Sequence, residues 1–336
     1  MTRRADAEST RGGAAMTRFE GSFTLLITPF DAEGRIDAAA YARLVEHHLA
    51  AGPQGIFAVC GTSEMAALTP DERLWLAGEA VRRVGGEVPV VATANVCPDP
   101  RDQQDEVARM SGTGVDGIVL VPPRQHDGSP EALFEYFAAL VRRSAVPVLL
   151  YEWPACHPAR VPADVFGRLV RDMGVQGVKD TTCTRSGIAA KVAAAPQATV
   201  FQANNALLVE GFGQGARGTM TITSAARPDL LASLWRAHVQ GHAQEVAALA
   251  REIVFLDAVL GPAHPAGAKW ILWRAGVLPA IRTRGGRAPS EAEIAALETW
   301  AGGAPGIAGN PEDCGARAAG PRGQGRIGTA TTTEGG

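Results

Sequence analysis

The sequence predicts an α/β fold, a closed (β/α)8 TIM barrel with additional C-terminal helices. Two observations carry this prediction. Short apolar segments rich in Val, Ile and Leu recur at intervals of about 30 residues, the size of one strand–helix unit. Helix start signals and amphipathic segments separate them. Eight strands that alternate with eight helices favour a closed barrel over an open sheet.

The predicted strands lack the strict polar–apolar alternation of a half-exposed strand. Continuous apolar runs of this kind are typical of parallel strands that are buried on both faces. The runs cover residues 23–30, 55–60, 88–94, 117–121, 146–151, 175–178, 199–203 and 218–222.

The predicted helices begin at recognisable caps. Asp37 is a potential N-cap for a helix over 37–50, and Thr69 is followed by Pro70 and two acidic residues, a common helix start. Prolines at 130 and 162 repeat part of that signal. After the eighth unit, helical segments over 242–259, 265–276 and 290–300 are expected to pack against the barrel or a subunit interface.

Four regions follow from this pattern. Residues 1–17 are polar and Gly/Ala-rich, and we predict a disordered N-terminal extension there. The barrel is expected over 18–240 and the C-terminal helices over 241–301. Residues 302–336 are glycine-rich and contain only two large aliphatic residues, Ile307 and Ile327. Such a segment buries too little apolar area to offset its ordering entropy, so we predict a disordered tail.

Composition and charge exclude several classes of function. A net charge of -3 argues against binding to nucleic acid. No apolar run approaches the ~18 residues of a membrane span, and the N-terminus lacks the apolar core of a secretion signal. Five cysteines form no C-x-x-C pair, and His238 and His242 lack an H-E-x-x-H arrangement. We therefore expect a cytoplasmic protein with no metal site and with neither nucleic acid nor membrane as a partner.

Lysine is rare in this chain, and one lysine stands at a predicted strand end. Only Lys179, Lys191 and Lys269 occur among 32 basic residues. An arginine cannot replace a lysine that must lose its proton to attack a carbonyl, because a guanidinium stays charged at ordinary pH. A lysine kept after the strand at 175–178 therefore suggests amine chemistry, with a surface or ion-paired lysine as the alternative.

Other reactive groups share the rim on which Lys179 is expected. The C-terminal strand ends of a (β/α)8 barrel form one rim, where chemistry collects. Burial there lowers the pKa of a lysine, and hydroxyls such as Tyr151 and Thr62 can move protons on a carbinolamine. The turn formed by Gly61, Thr62 and Ser63 offers N–H groups and hydroxyls to a carboxylate. The combination suits Schiff-base catalysis on a 2-oxo acid, with no cofactor, since the imine itself is the electron sink.

Five motifs at or near the strand ends carry a family resemblance. They are Thr28-Pro29-Phe30, Gly61-Thr62-Ser63-Glu64 followed by Leu68-Thr69, Tyr151-x-x-Pro154, Gly177-Val178-Lys179-Asp180-Thr181, and Gly215-Ala216-Arg217-Gly218-Thr219. Over roughly residues 19–300 the chain resembles the dihydrodipicolinate synthase / N-acetylneuraminate lyase superfamily of class I aldolases and dehydratases. The resemblance implies that Lys179 forms the imine, Tyr151 relays protons, and Thr62 with Ser63 holds the substrate carboxylate. It also implies a homotetramer built as a dimer of dimers, and a structural Glu64 that accepts N–H bonds in its turn.

The chain departs from the family pattern at three places. The turn that usually reads G-[ST]-T-G-E begins here with Cys60-Gly61, nearer to the G-G-T-G-E of keto-deoxy sugar-acid dehydratases. Dihydrodipicolinate synthases carry a tyrosine pair after the fourth strand, where this chain has Arg124-Gln125-His126. Their arginine shortly after Tyr-x-x-Pro is replaced by Cys156 and His157. These departures argue against the lysine-pathway enzyme itself.

Further rim residues are candidates for substrate binding, each with an ordinary loop role as the alternative. Those expected to read the distal end of the substrate are Asn95, Arg124, Gln125, His126, Glu152 and Trp153, and Thr221 stands at the end of the eighth strand.

The sequence leaves several functions open. Aldol cleavage or condensation and dehydration of a 2-keto-3-deoxy sugar acid use the same lysine. A barrel that binds a phosphorylated ligand would need a glycine-rich loop after strands seven and eight, and residues 221–226 contain no glycine. A barrel that only binds a keto acid is the non-enzymatic alternative, because a fold alone does not fix function.

Overall fold

Eight parallel strands form a closed barrel in the computed structural model, which describes residues 19–303. Each strand pairs with the next one in the chain, and the first pairs with the eighth. The strands are β1 Gly21–Leu25, β2 Gly55–Val59, β3 Val90–Thr93, β4 Gly117–Leu120, β5 Val148–Tyr151, β6 Gly177–Asp180, β7 Thr199–Gln202 and β8 Gly218–Thr219. The predicted (β/α)8 barrel is confirmed.

A helix follows each strand, and three more follow the last unit. The barrel helices are α1 Ala38–Ala50, α2 Pro70–Val84, α3 Pro100–Ser111, α4 Pro130–Val141, α5 Ala163–Met173, α6 Arg185–Ala194, α7 Leu208–Gly213 and α8 Pro228–Val239. The additional helices are α9 Ala243–Leu260, α10 Ala266–Arg274 and α11 Glu291–Gly303. Short 3-10 helices cover Gly61–Ser63, Met65–Ala67, Asn205–Leu207, Ile222–Ala225 and Gly261–Ala263.

The predicted caps explain where the first helices begin. The Asp37 carboxylate accepts the N–H of Ala40 at 2.9 Å. At the start of α2, Thr69 and Glu72 each accept the backbone N–H of the other, at 3.2 and 2.9 Å. Each such cap stabilises a helix by about 1 kcal/mol, because it satisfies N–H groups that have no partner in the first turn.

Aromatic rings fill the barrel interior, and glycines on neighbouring strands make room for them. Phe23 and Phe201 meet edge-on with their centroids 5.2 Å apart. A Cβ at Gly55 would lie 2.3 Å from the Phe23 ring, and one at Gly218 would lie 2.6 Å from the Phe201 ring. A side chain at either glycine would therefore displace the packed core.

Burial and strand pairing differ at two predicted strands. The apolar run over 23–30 is longer than β1, because Leu26, Ile27 and Phe30 are buried in the chain that leaves the sheet after Leu25. The run over 218–222 contains only two strand residues, since a 3-10 helix begins at Ile222. An apolar run predicts which residues are buried. The hydrogen-bonded pairing of the strand ends before the buried segment does.

The C-terminal helices pack against the outside of the barrel beside α8. α9 packs on α8, α11 packs on α9, and α10 directs Lys269 back towards the turn after β2. α11 ends at Gly303, so it extends two residues into the predicted tail. The predicted extension over 1–17 and the tail from 304 onwards lie outside the described residues. None of the described helices is both long and apolar enough to cross a bilayer.

Candidate active site

Lys179 and Tyr151 lie side by side at the C-terminal rim. They are paired residues at the ends of β6 and β5, so their side chains leave the barrel at the same level. The Lys179 Nζ lies 4.3 Å from the centroid of the Tyr151 ring and 5.5 Å from that of Phe57. Both Lys179 and Tyr151 are buried. The structure thus brings together the two groups that the sequence placed on adjacent strands.

Lys179 differs from the other two lysines in its electrostatic surroundings. Lys191 and Lys269 are also buried, but Lys191 contacts two carboxylates, at 2.6 and 2.9 Å, and Lys269 contacts one, at 2.6 Å. Among the described residues, no carboxylate lies within ion-pair distance of Lys179. Burial lowers the pKa of Lys179 from 10.5 to about 8, because an unpaired ammonium loses its hydration there. A substantial fraction of this amine is therefore neutral near physiological pH.

The Tyr151 hydroxyl approaches the backbone of the turn after β2. A Cβ placed on Gly61 would lie 3.2 Å from both the Tyr151 hydroxyl and the Trp153 Nε1. Glycine at this position therefore lets the backbone come close to both groups. Burial raises the pKa of Tyr151, so the phenol remains protonated at neutral pH.

The hydroxyl of Ser63 is fully engaged inside the turn. It accepts the Cys60 N–H at 3.0 Å and lies within hydrogen-bond distance of the carbonyls of Leu26 and Ala58, at 2.8 and 3.1 Å. Ser63 has no exposed surface. Its side chain is therefore a structural brace, rather than the substrate-binding hydroxyl that the sequence suggested.

The N–H groups of the same turn divide into two pairs. Those of Ser63 and Glu64 donate to the carbonyls of Cys60 and Gly61, at 3.1 and 3.0 Å. Within residues 19–303, the N–H groups of Gly61 and Thr62 donate to no other protein group. These two donors remain available in the turn whose Gly61 lies close to the Tyr151 hydroxyl.

Glu64 connects the turn to the C-terminal segment. Its carboxylate contacts the Lys269 Nζ at 2.6 Å and accepts the N–H groups of Arg284 and Gly285, each at 2.6 Å. The expected structural role is present, but the N–H partners come from the segment after α10 and not from the turn itself. Glu64 adopts a left-handed backbone, with φ 61°, so this anchoring also stabilises an uncommon conformation for a residue with a side chain.

Asn95 ties β3 to β4 and is not free to contact a substrate. Its amide nitrogen donates to the Val121 carbonyl at 2.7 Å and to the Tyr136 hydroxyl at 2.9 Å. Its oxygen accepts the Val121 N–H at 2.9 Å. Asn95 is only 2% exposed. The structure therefore replaces the expected substrate contact with a bridge between strands.

Glu152 also has a structural role that differs from its prediction. One carboxylate oxygen accepts the Val161 N–H at 2.8 Å and contacts Lys191 at 2.9 Å, while the other accepts the Thr181 N–H at 3.0 Å. Asp180 contacts the same lysine at 2.6 Å. This buried cluster fixes the loops after β5 and β6, and it pairs the Asp180 carboxylate with Lys191.

Thr221 is buried in a hydroxyl network behind the rim. Its hydroxyl lies 2.8 Å from that of Thr223, which donates to the Asn205 side chain at 2.8 Å. Asn205 in turn donates to Asp257 of α9 at 2.8 Å. Thr221 has no exposed surface, so it connects β8 to the added helices rather than lining an opening.

Arg124 remains at the mouth of the barrel. Its guanidinium stacks on the Trp153 ring, with the carbon 4.6 Å from the ring centroid, and the residue is exposed. Gln125 is exposed beside it, and its backbone pairs with His157. His126 contacts the Pro158 carbonyl at 2.8 Å through a ring nitrogen, so it holds the two loops together.

A cavity of about 430 Å³ lies between the turn after β2, Trp153 and the segment before α10, and Lys179 and Tyr151 are not among its lining residues. Its lining includes Gly61, Trp153 and His264, and the last of these was missed in the sequence reading. His264 precedes α10, and only the return of the added helices to the rim brings it here. No group of three or more His, Cys, Asp or Glu residues between 19 and 303 is arranged to hold a metal ion.

The fold and the site define a (β/α)8-barrel protein whose reactive side chains gather at the C-terminal rim. The chain belongs to the dihydrodipicolinate synthetase family, whose model matches residues 18–294. This membership places it among lyases of the aldolase-like type.

The chain is similar to several members of this family. A 4-hydroxy-tetrahydrodipicolinate synthase from Laribacter hongkongensis is 30% identical over 264 residues, which cover 77% of this chain and 90% of that protein. A dihydrodipicolinate synthase structure from Bacillus anthracis superposes with a TM-score of 0.80 at 23% identity, over 85% of this chain and 99% of its own. The structure of the E. coli K12 protein YagE, solved in complex with pyruvate, superposes with a TM-score of 0.78 at 22% identity, over 84% of this chain and 97% of its own.

Proposed function

We propose that Lys179 forms a Schiff base with pyruvate or another 2-oxo acid. The neutral amine attacks the carbonyl carbon to give a carbinolamine, and loss of water gives the imine. The protonated imine then accepts the electron pair that is released when a carbon–carbon bond breaks, or supplies it through the enamine when one forms. The reaction is aldol cleavage or condensation. Dehydration of a 2-keto-3-deoxy sugar acid is the alternative through the same intermediate.

The observation that carries this proposal is the unpaired, buried state of Lys179. A catalytic amine must be both positioned and neutral, and its pKa of about 8 provides the neutral form at modest cost. Tyr151, on the paired position of the next strand, is the candidate to carry protons to and from the carbinolamine oxygen. Thr62, a buried residue of the turn after β2, is the candidate to extend this relay.

The carboxylate of the substrate is proposed to lie on the turn after β2. The N–H groups of Gly61 and Thr62 are available, and they supply two dipoles without adding a cation beside Lys179. A cation there would lower the lysine pKa further. It would also compete with these N–H groups for the substrate carboxylate. Neutral donors avoid that conflict.

The distal end of the substrate is proposed to meet Arg124 and Gln125. Arg124 is held by its stack on Trp153, and Trp153 also lines the cavity. The guanidinium charge of Arg124 can therefore act on a ligand that extends beyond the 2-oxo acid. An anionic distal group would suit this arginine.

A second candidate function is 4-hydroxy-tetrahydrodipicolinate synthase activity. The observation that favours it is the name shared by the curated relatives, at 27–30% identity. The replaced tyrosine pair and arginine argue against it. An assay for formation of 4-hydroxy-tetrahydrodipicolinate separates this activity from the other reactions of the family.

Borohydride reduction followed by intact-mass spectrometry tests the proposed function. We expect a mass increase with pyruvate or a longer 2-oxo acid in the wild type and none in Lys179→Ala. Lys191→Ala is the matched control, because it also removes a buried lysine near the rim but should still form the adduct if it folds. An adduct that persists in Lys179→Ala, or no adduct with any 2-oxo acid, would reject the Schiff base and favour a barrel that only binds.

Assembly as a homotetramer and a cytoplasmic location remain predictions. α9 leaves Val254 and Phe255 exposed at 40% and 53%, which suits contact with another copy of the chain. Light scattering of the purified protein would give its assembled mass directly.

A further inference from the structure

We propose that the indole N–H of Trp153 donates a hydrogen bond to the carboxylate of the bound 2-oxo acid, which makes Trp153 a substrate-binding residue beside the turn after β2. This inference rests on the proposed function and deepens it by one contact. Trp153 occupies a variable position of the Tyr151-x-x-Pro154 motif, so the motif assigns it no task. The sequence alone places this tryptophan at the distal end of the substrate instead.

The N–H edge of the Trp153 indole faces the turn after β2. A Cβ placed on Gly61 would lie 3.2 Å from the Trp153 Nε1 and 3.6 Å from its Cδ1. The same point lies 3.2 Å from the Tyr151 hydroxyl, so the indole N–H and the phenol approach one backbone position together. The ring of Tyr151 is in turn the one whose centroid lies 4.3 Å from the Lys179 Nζ. The indole N–H is therefore a near neighbour of the groups proposed to act on the 2-oxo acid.

The Trp153 side chain is held in this orientation before any ligand binds. Its backbone N–H donates to the Tyr151 carbonyl at 2.9 Å, and its carbonyl accepts the Cys156 N–H at 2.9 Å. The residue is only 7% exposed, and the guanidinium of Arg124 stacks on its ring. A donor that is fixed through both its backbone and its ring loses little further freedom when it binds a ligand.

The indole N–H has no acceptor within residues 19–303. Buried tryptophans usually find a partner for this group. Solvent reaches the Nε1 atom, which is not one of the shielded polar atoms of the described residues, and Trp153 lines the cavity next to the turn. Water or a ligand can therefore supply the acceptor. A phenylalanine would fill the same space without leaving a donor unpaired, so packing alone does not explain a tryptophan here.

The free groups at this edge donate hydrogen bonds rather than accept them. An indole N–H is a donor only, and the N–H groups of Gly61 and Thr62 add two more donors. The Glu64 carboxylate, which lines the neighbouring cavity, is engaged by the Lys269 ammonium at 2.6 Å. An ionised carboxylate is the part of a 2-oxo acid that only accepts. It is bonded directly to the carbon that Lys179 would attack, so it must lie close to the residues around that amine.

Pyruvate and methyl pyruvate test the inference. They share the ketone and the three-carbon acid skeleton, but the ester carries no negative charge, and neither ligand has a distal group. The rate of borohydride trapping is measured by intact mass at increasing concentrations of each ligand, in the wild type, Trp153→Phe and Trp153→His. Phenylalanine keeps an aromatic ring under Arg124 without the N–H, whereas histidine restores a ring N–H. Trp75→Phe is the matched control, because that tryptophan is 41% exposed on α2. If the wild type traps only longer 2-oxo acids, the shortest of them and its methyl ester replace the pair.

We expect Trp153→Phe to raise the half-saturating concentration of pyruvate about tenfold, as the loss of one hydrogen bond to a charged acceptor predicts, and to leave the rate at saturation unchanged. Methyl pyruvate should lose only about threefold, because a hydrogen bond to a neutral acceptor is about half as strong. Trp153→His should recover part of the loss, and Trp75→Phe should change neither ligand. Melting temperatures show whether the variants fold. If Trp153→Phe does not, the indole N–H resonances in the NMR spectrum of the isotope-labelled wild type decide, since one of them should move downfield with pyruvate and less with the ester.

Three outcomes would overturn the inference and leave the Schiff base intact. They are an unchanged half-saturating concentration of pyruvate in Trp153→Phe, an equal change for the acid and its ester, and indole resonances that do not respond to pyruvate. A wild type that traps no 2-oxo acid would reject the proposed function and this inference together.

Discussion

Replacing Lys179 by methionine should stabilise the folded protein at neutral pH while it removes the proposed catalytic amine. The cause is the burial of an ammonium without a carboxylate partner. Lowering the pKa from 10.5 to about 8 corresponds to about 3 kcal/mol, at about 1.4 kcal/mol for each tenfold change in proton affinity. Methionine has a similar length and carries no charge, so we expect the variant to gain a free energy of unfolding of about 3 kcal/mol at pH 7.

The pH dependence of that gain distinguishes this explanation from a general packing effect. Well below pH 8, Lys179 is predominantly charged in both the folded and the unfolded chain, and the burial cost is almost fully present. Between pH 8 and 10.5, the unfolded chain keeps a proton that the folded chain has released, so wild-type stability rises with pH. The advantage of the methionine variant should therefore shrink to less than about 1 kcal/mol by pH 10.

Urea denaturation of both proteins at pH 7 and pH 10 measures this difference. Lys191→Met is the matched control, because it leaves the carboxylates of Glu152 and Asp180 buried without their cation. We expect that control to lose about 3–5 kcal/mol at pH 7. A Lys179→Met protein that is less stable than the wild type at pH 7, or whose gain is the same at both pH values, would refute the reasoning.

Three further outcomes follow from the same site. The rate of Lys179 adduct formation should rise about tenfold from pH 7 to pH 9, as the neutral amine fraction grows through a pKa of about 8, and a flat profile in borohydride trapping would contradict this. Gly61→Ala should slow trapping about tenfold with little change in melting temperature, because its Cβ would lie 3.2 Å from the Tyr151 hydroxyl; an unchanged rate would show that the contact is absorbed elsewhere. Glu64→Ala should cost about 3–5 kcal/mol in urea denaturation, because Lys269 would stay buried without its carboxylate. A loss below about 1 kcal/mol would mean that water reaches this lysine.

The fold and the reactive lysine could be predicted because their signals are local. Strand runs, the Asp37 and Thr69 caps, and the rule that strand ends share a rim place Lys179 beside Tyr151 without knowledge of any distant contact. The predicted strand ends were less accurate where buried chain continues past the last paired residue, as it does after β1.

The predicted substrate contacts were less successful, because their roles depend on partners that are distant in sequence. Asn95 is occupied by Val121, and Glu152 by Lys191, and nothing near either residue in the chain announces those contacts. His264 was missed for the converse reason. Its neighbours predict only the start of a helix, and its place at the cavity depends on how three added helices return to the barrel.

The burial of all three lysines has a consequence for labelling chemistry. Their exposed fractions are 4%, 3% and 0% for Lys179, Lys191 and Lys269. Acylating reagents and aldehydes that modify proteins through ε-amino groups therefore meet almost no target on the folded exterior. Lys179 is the lysine with neither an ion-pair partner nor its usual proton affinity, so a small electrophile that reaches the C-terminal rim should modify it selectively. The native protein would then carry its own chemically addressable position, with its α-amino group as the remaining competitor.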